Sequence, residues 1–207
     1  MQVWMIAPFA LWERLQGENE LFYDPDCLPA QLQPFYEWMR QQMATRLPNY
    51  QGQYPWWAWV RWTPEKRMPD LRSRSCELNY FPPEEPAVRL ELLIPDQDVL
   101  CSDFGSWCLV LFNEYVAQTQ AEVEQWEHLA PLQRKRERLE HSWEAIFDLD
   151  ETHWNVDQRS SNPVRIQGTF EYLRLEQVRG VTHFRCRYPK RRERSFSPAA
   201  AERAGRS

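Results

Sequence analysis

Four tryptophans (Trp56, Trp57, Trp59 and Trp62) fall within one short run, Tyr54 to Trp62, which reads YPWWAWVRW. No other feature restricts the fold so tightly. Side chains along a strand alternate between its two faces. As a strand, this run sends Trp56, Ala58, Val60 and Trp62 to one side and Trp57, Trp59 and Arg61 to the other. Indole rings on both sides require cover on both sides, so the strand is expected at the centre of a layered domain. The whole chain carries eleven tryptophans and only six glycines in 207 residues. A chain of that length buries enough surface to hold such rings as core anchors.

The flanking patterns supply the other elements. Gln2 to Ile6 reads as a strand, followed by a helix that opens at Pro8 and closes near Gly17. Leu28, Leu32, Phe35, Tyr36, Met39 and Met43 recur at helical spacing, and Pro48 ends that run. Ala87 to Ile94 alternates as a strand. Ser102 is the expected N-cap of a helix through Phe104, Trp107, Cys108, Leu111 and Phe112, with Asp103 in its first turn. Thr119 to His141 is helical in composition with few core residues. Its Glu122, Glu124 and Glu127 precede Pro131, whereas Arg134, Lys135, Arg136 and Arg138 follow it. A short helix is expected from Ser142 through Phe147. Val164 to Leu173 and Val181 to Arg187 read as the last strands. The order predicts an α+β fold, a small central, mainly antiparallel sheet of about five strands with flanking helices and a helical insertion. Residues 1–188 are expected to form one globular domain, with 119–150 as the insertion. Residues 189–207 are Arg-, Ser- and Ala-rich and are expected to form a basic disordered tail.

Several chemistries are excluded by what the chain lacks. There is no GxGxxG and no GxxxxGK[ST], so no glycine-rich loop cradles a phosphate. His128, His141, His153 and His183 show no paired metal spacing, and no GxSxG nucleophile elbow occurs. Asp148 and Asp150 form an acidic pair without a third ligand nearby in sequence. Five scattered cysteines fit neither a disulfide framework nor a zinc site and suit a reducing compartment. The amino terminus has no basic stretch followed by an apolar one, and no apolar run approaches the ~18 residues of a membrane span. The expected location is the cytoplasm, without membrane association. The net charge of −5 argues against general affinity for nucleic acid, although basic residues dominate from Arg185 onward.

Six pieces of the sequence together resemble an uncharacterised bacterial family, domain of unknown function 3841. They are the Val3-Trp4-Met5-Ile6 strand, Tyr54-Pro55 with Trp57-Ala58-Trp59, and Pro69-Asp70-Leu71-Arg72-Ser73. The others are Val99-Leu100 with Ser102-Asp103-Phe104 and Trp107, the stretch from Ser142-Trp143-Glu144 to Asp150, and Ile166-Gln167 through Gln177-Val178. The order of the pieces also resembles that of compact NAD-dependent ADP-ribosyltransferases of the DNA-modifying toxin type. Those begin with a strand and a helix and then present an Arg-bearing strand and loop. An apolar strand leading to a Thr/Ser-Asp helix start follows, and a late strand carries a catalytic glutamate. The corresponding pieces here are Trp57 to Arg72, Val88 to Asp103, and Gln167 to Glu171. The resemblance implies NAD as cofactor and a nucleic acid or protein acceptor. It makes Glu171 the catalytic candidate and Trp57, Trp59, Arg61, Arg72, Asp103, Gln167 and Thr169 the candidate cofactor contacts. Two departures stand beside it. The early histidine has no counterpart near Trp4 to Pro8, and the glutamate expected close to Gln167 is either Glu171 or absent, with Thr169 in its place.

The chemistry has a physical basis. NAD needs a cation for its pyrophosphate, which Arg72 or Arg61 would supply through paired hydrogen bonds. It needs an aromatic wall for the nicotinamide, a role for Trp57 or Trp59, and a carboxylate beside an oxocarbenium-like centre, a role for Glu171. Against this, tryptophans on strands are commonly core and a strand glutamate beside an arginine commonly forms a surface pair. The alternative is a non-catalytic binding module, whose interleaved aromatics and arginines suit nucleic acid or a partner protein. The oligomeric state is not legible from the sequence.

Overall fold

The computed structural model describes residues 1–63, 66–71, 85–130, 133–150 and 165–185. Arg72, Cys76, His153 and the basic 189–207 segment lie outside the described residues. Among the described residues, eight strands and five α-helices follow in the order β1 (Gln2–Pro8), α1 (Phe9–Glu18), β2 (Glu20–Phe22), α2 (Gln33–Arg46), β3 (Trp56–Arg61), β4 (Pro86–Leu93), β5 (Leu100–Asp103), α3 (Phe104–Leu111), α4 (Gln120–His128), α5 (Arg136–Trp143), β6 (Ile166–Phe170), β7 (Tyr172–Arg174) and β8 (Val178–Arg185). Short 3₁₀ turns separate several of them. The fold is α+β, built on a six-stranded sheet of order β5-β6-β3-β1-β4-β8 in which every neighbouring pair is antiparallel. A second, two-stranded sheet pairs β2 with β7.

The two faces of the large sheet bury different sets. Val3, Met5 and Ala7 of β1 point with Val88, Leu90 and Leu92 of β4 into one core. Leu15 of α1 closes that core, and Leu21 and Leu173 of the small sheet extend it. Trp56 belongs here, its indole N–H donating to the Leu21 carbonyl. On the opposite face α2, α3 and α5 pack Met39, Met43, Trp107, Val110 and Trp143 over the β3, β5 and β6 half of the sheet. Trp57 joins this second core against Trp107 and Tyr36. A small third cluster, Trp4, Trp59 and Trp62, lies beside it.

The structure departs from the sequence expectations at several places, four of them along the strands of the large sheet. Trp62 packs on Trp59, with ring centroids 4.7 Å apart, instead of joining Trp56 and Ala58. The cause is a register shift between Trp59 and Arg61 in the β3–β6 pairing, a bulge that breaks the alternation. Leu100–Asp103 is an edge strand rather than the start of a helix, which raises the sheet to six strands. The helix N-cap accordingly moves one residue on, to Asp103. The stretch expected as one strand from Val164 to Leu173 divides at Glu171, because Tyr172–Arg174 turns away to pair with β2. The last strand begins at Val178, three residues earlier than its apolar pattern suggests.

Candidate functional site

β1 stands between β3 and β4, but its two partnerships differ. It matches β4 over seven register pairs, from Gln2–Leu93 to Pro8–Ala87, whereas it meets β3 at one pair, Trp4–Trp59. The half-sheets β5-β6-β3 and β1-β4-β8 thus join at a single rung. In the same register Trp59 lies opposite Gln167, and Gln167 opposite Ser102. Directly opposed residues in antiparallel strands share a face. Ser102, Gln167, Trp59 and Trp4 therefore form one row across four adjacent strands.

The row is buried yet polar. Gln167 is 5% exposed and donates from its amide to the Ser102 hydroxyl at 3.4 Å. Trp4 is also 5% exposed, and its indole N–H has no acceptor among the described residues. A buried donor without a partner costs roughly 1–3 kcal/mol. Next along the strands, Arg61 and Asp103 both stand opposite Ile166. Asp103 is tied to α3, since one carboxylate oxygen accepts from the Ser106 backbone N–H at 2.8 Å and from its hydroxyl at 2.7 Å. Arg165 lies with its guanidinium over three rings, 4.6 Å from Phe104 and 5.7 Å from both Trp59 and Trp62. Arg61 and Arg165 are half-buried.

Trp59 and Gln167 thus share one face, whereas Arg61 and Asp103 stand at the next register position, opposite Ile166, which alternation turns away from that face. Trp57 and Thr169 sit one step away on the same face, beneath the second core. Thr169 donates there to the Leu100 carbonyl, and the Trp57 indole N–H lacks an acceptor among the described residues. Arg72 is outside the described residues.

Glu171 lies elsewhere. It is four residues beyond Gln167, about 13 Å along an extended chain. Its carboxylate, 6% exposed, accepts from the Gln51 backbone N–H at 3.0 and 2.9 Å and from that of Gln53 at 2.9 Å. Gly52 between them has φ +98°, the left-handed turn that lets both amides face one carboxylate. Glu171 also lines a cleft of about 250 Å³ with Tyr50, Tyr172, Arg174 and Asp98, and Trp57 is not part of its lining. Burial and the neighbouring Glu171 and Glu37 charges outweigh Arg40 and push the Tyr50 phenol up to about 12, burial being the largest cause. Arg174 pairs with Glu20 and stacks on Tyr172.

Three residues of this neighbourhood were not legible as site residues. Trp4 and Arg165 carry ordinary strand signals and Ser102 a cap signal; register aligns Trp4 and Ser102 with Trp59 and Gln167, and Arg165 stacks on Trp59. Among the described residues no group of three His, Cys, Asp or Glu side chains is placed to hold a metal ion, and Asp148 caps its own turn by accepting from the Asp150 N–H. Nor is any described helix long and apolar enough to cross a membrane. No curated protein and no solved structure matches the chain. A family model does match, over residues 24–179, a span holding Trp59, Arg61, Asp103, Gln167 and Glu171. By that match, the chain belongs to the family described as Domain of unknown function (DUF3841).

Proposed function

We propose that this protein is a bacterial, cytoplasmic enzyme of the ADP-ribosyltransferase kind that uses NAD to modify a macromolecular acceptor, nucleic acid or protein. One observation carries the reading: the row Ser102–Gln167–Trp59–Trp4 at the single rung joining the two half-sheets. The first strand, the Arg-bearing strand and the late strand beside Gln167 are the places to which the ADP-ribosyltransferase resemblance points, and they are neighbours in this row.

The residue chemistry suits the ligand. The Trp59 ring provides an aromatic wall, and the unpaired Trp4 N–H suits a carbonyl or hydroxyl of a bound molecule. Arg61 and Arg165 bring guanidinium groups suited to a pyrophosphate. Bound NAD would supply a nicotinamide glycosidic bond as the source of ADP-ribose. Gln167 orients ribose hydroxyls by hydrogen bonding, and Glu171 sets the 49–53 loop from outside the row.

Titration calorimetry with NAD, paired with transfer of label from NAD to nucleic acid and protein acceptors, tests the reading. Trp59→Ala and Gln167→Ala are expected to weaken NAD by about tenfold or more, equivalent to roughly 1.4 kcal/mol. Glu171→Ala is expected to lower stability while leaving NAD affinity within about threefold. Absence of NAD binding by the folded wild type, or transfer indifferent to Gln167→Ala and Arg61→Ala, would sink it.

A second reading, a non-catalytic module for nucleic acid or a partner protein, draws on the Arg165 guanidinium stacked over Phe104, Trp59 and Trp62. Cation and ring together form the kind of platform on which bases stack. Retention of single-stranded nucleic acid at physiological salt by a protein that ignores NAD would favour it.

A further inference from the structure

A cleft of about 810 Å³ opens between α3, α4 and α5, away from the row and from Glu171. Its lining mixes apolar and aromatic groups, Leu109, Val123, Leu139 and the stacked pair Tyr115–Trp126 with rings 4.5 Å apart, with polar ones that include Glu114, Glu127 and Arg134. α4 stands over this space without a single fully buried residue, although Val123 and Trp126 turn toward it. Trp126 packs against the second core, yet it and Val123 stay half-buried, which leaves α4 apolar surface to bury.

Two features say what would bury it. Phe112 is 75% exposed and directly precedes Asn113, whose left-handed φ of 58° turns the chain at the cleft wall. A phenyl ring thus stands exposed next in sequence to the cleft wall without lining the cleft. The charges around the cleft are also segregated. Glu124 and Glu127 are exposed on α4, whereas Lys135, Arg136 and Arg138, with Glu137 among them, are exposed at the start of α5. Among the described residues no ion pair joins the two blocks: Arg136 pairs with Glu140 inside its own helix, and Arg134 donates to the backbone carbonyls of Glu127 and Leu129.

We propose that this face is the interface of a two-fold homodimer. A two-fold axis brings the same patch of each copy together, so a ring beside a cleft becomes two rings in two clefts. The same operation sets the acidic α4 of each copy against the basic start of α5 in the other, and both contacts form at once. The interface is therefore complementary in shape and in charge, and it weakens as salt rises.

Sedimentation of the full chain at concentrations up to roughly 100 µM, over a range of salt, tests this. The wild type is expected as a dimer that dissociates at high salt, and Phe112→Asp as a monomer. Glu124→Lys/Glu127→Lys and Lys135→Glu/Arg138→Glu are each expected as monomers that form a heterodimer when mixed in equal amounts. That rescue shows the variants to be folded. A wild type that stays monomeric throughout, as it would if the cleft took a small molecule, overturns the proposal. Self-association of both charge-reversed variants as strong as that of the wild type overturns it equally.

Discussion

Gly168 lies between two branched side chains at the centre of β6. A Cβ placed there meets Val99 Cγ1 at 2.6 Å and Val60 Cγ2 at 3.2 Å. The first distance is closer than carbon atoms tolerate, so an alanine must displace the Val99 side chain or the strand. Gly168→Ala is therefore expected to cost about 1–3 kcal/mol in urea unfolding. Adding Val99→Ala should recover part of that loss, because it removes the opposing methyl group. Failure of the double variant to recover would mean that the strand, not the side chain, had moved. The position bears on the candidate site, since its neighbours Gln167 and Thr169 point to the opposite face and depend on β6 lying flat between β3 and β5. Reading the residues in order gives no hint of this clash, because Val99 is 69 positions away and Val60 is 108 positions away. The strand itself is legible from the alternation of Ile166, Gly168 and Phe170.

The junction of β5 and α3 shows how an element end couples packing to the site. Asp103 is at once the last residue of β5, the N-cap of α3 and the neighbour of Ile166 beside the row. It satisfies both the backbone N–H and the fully buried hydroxyl of Ser106. Thr119 makes the corresponding cap on α4, a single bond of 3.3 Å to the Glu122 N–H at a half-exposed site. Asp103→Ala is expected to cost about 2–3 kcal/mol, combining a lost cap with a buried hydroxyl left unpaired. Thr119→Ala is expected to cost about 1 kcal/mol or less, because water replaces the lost partner. Thermal unfolding of the two variants side by side measures the contrast, and equal losses would contradict it. A Ser-Asp pair before an apolar helical pattern announces a helix start, and α3 was readable on that ground. Which of the two residues caps the helix was not, because Ser102 is held in an edge strand by its pairing with Gln167.

At the scale of the molecule, the tie between Glu171 and the 49–53 loop has a consequence for alkaline stability. Tyr50 lies in that loop, donates its hydroxyl to the Gln53 carbonyl at 2.8 Å and titrates near 12 instead of the usual 10. Between those values the unfolded chain has released the phenolic proton and the folded chain still holds it. Unfolding then releases a proton, so stability is complete below about pH 10 and falls as pH rises toward 12. Burial raises Tyr23, Tyr115 and Tyr172 in the same direction, which adds to the slope. Urea midpoints measured from pH 9 to 12 are expected to fall across this window, and Tyr50→Phe is expected to flatten the fall. A Tyr50→Phe profile that parallels the wild type would remove this phenol as a cause.

The tryptophan run determined that this chain builds a layered α+β domain around a doubly covered central strand. Periodicity placed β1, β3, β4 and most of the helices, and those readings rest on side-chain spacing that local sequence carries in full. Membership of a bacterial family was expected from short pieces such as WAW, SDF and IQ, and the family match over residues 24–179 bears out the family itself. The tertiary structure decided what those pieces do to one another. Trp4 meets Trp59, Trp59 meets Gln167 and Gln167 meets Ser102 only because four strands distant in sequence share one register. A bulge moved Trp62 across the sheet, and a side pairing with β2 drew Tyr172 to Arg174 out of the strand that Gln167 begins. The physical reason is the same in each case. Alternation tells which residues of a strand share a face, but strand order and register, set by hydrogen bonds between distant segments, decide which faces meet.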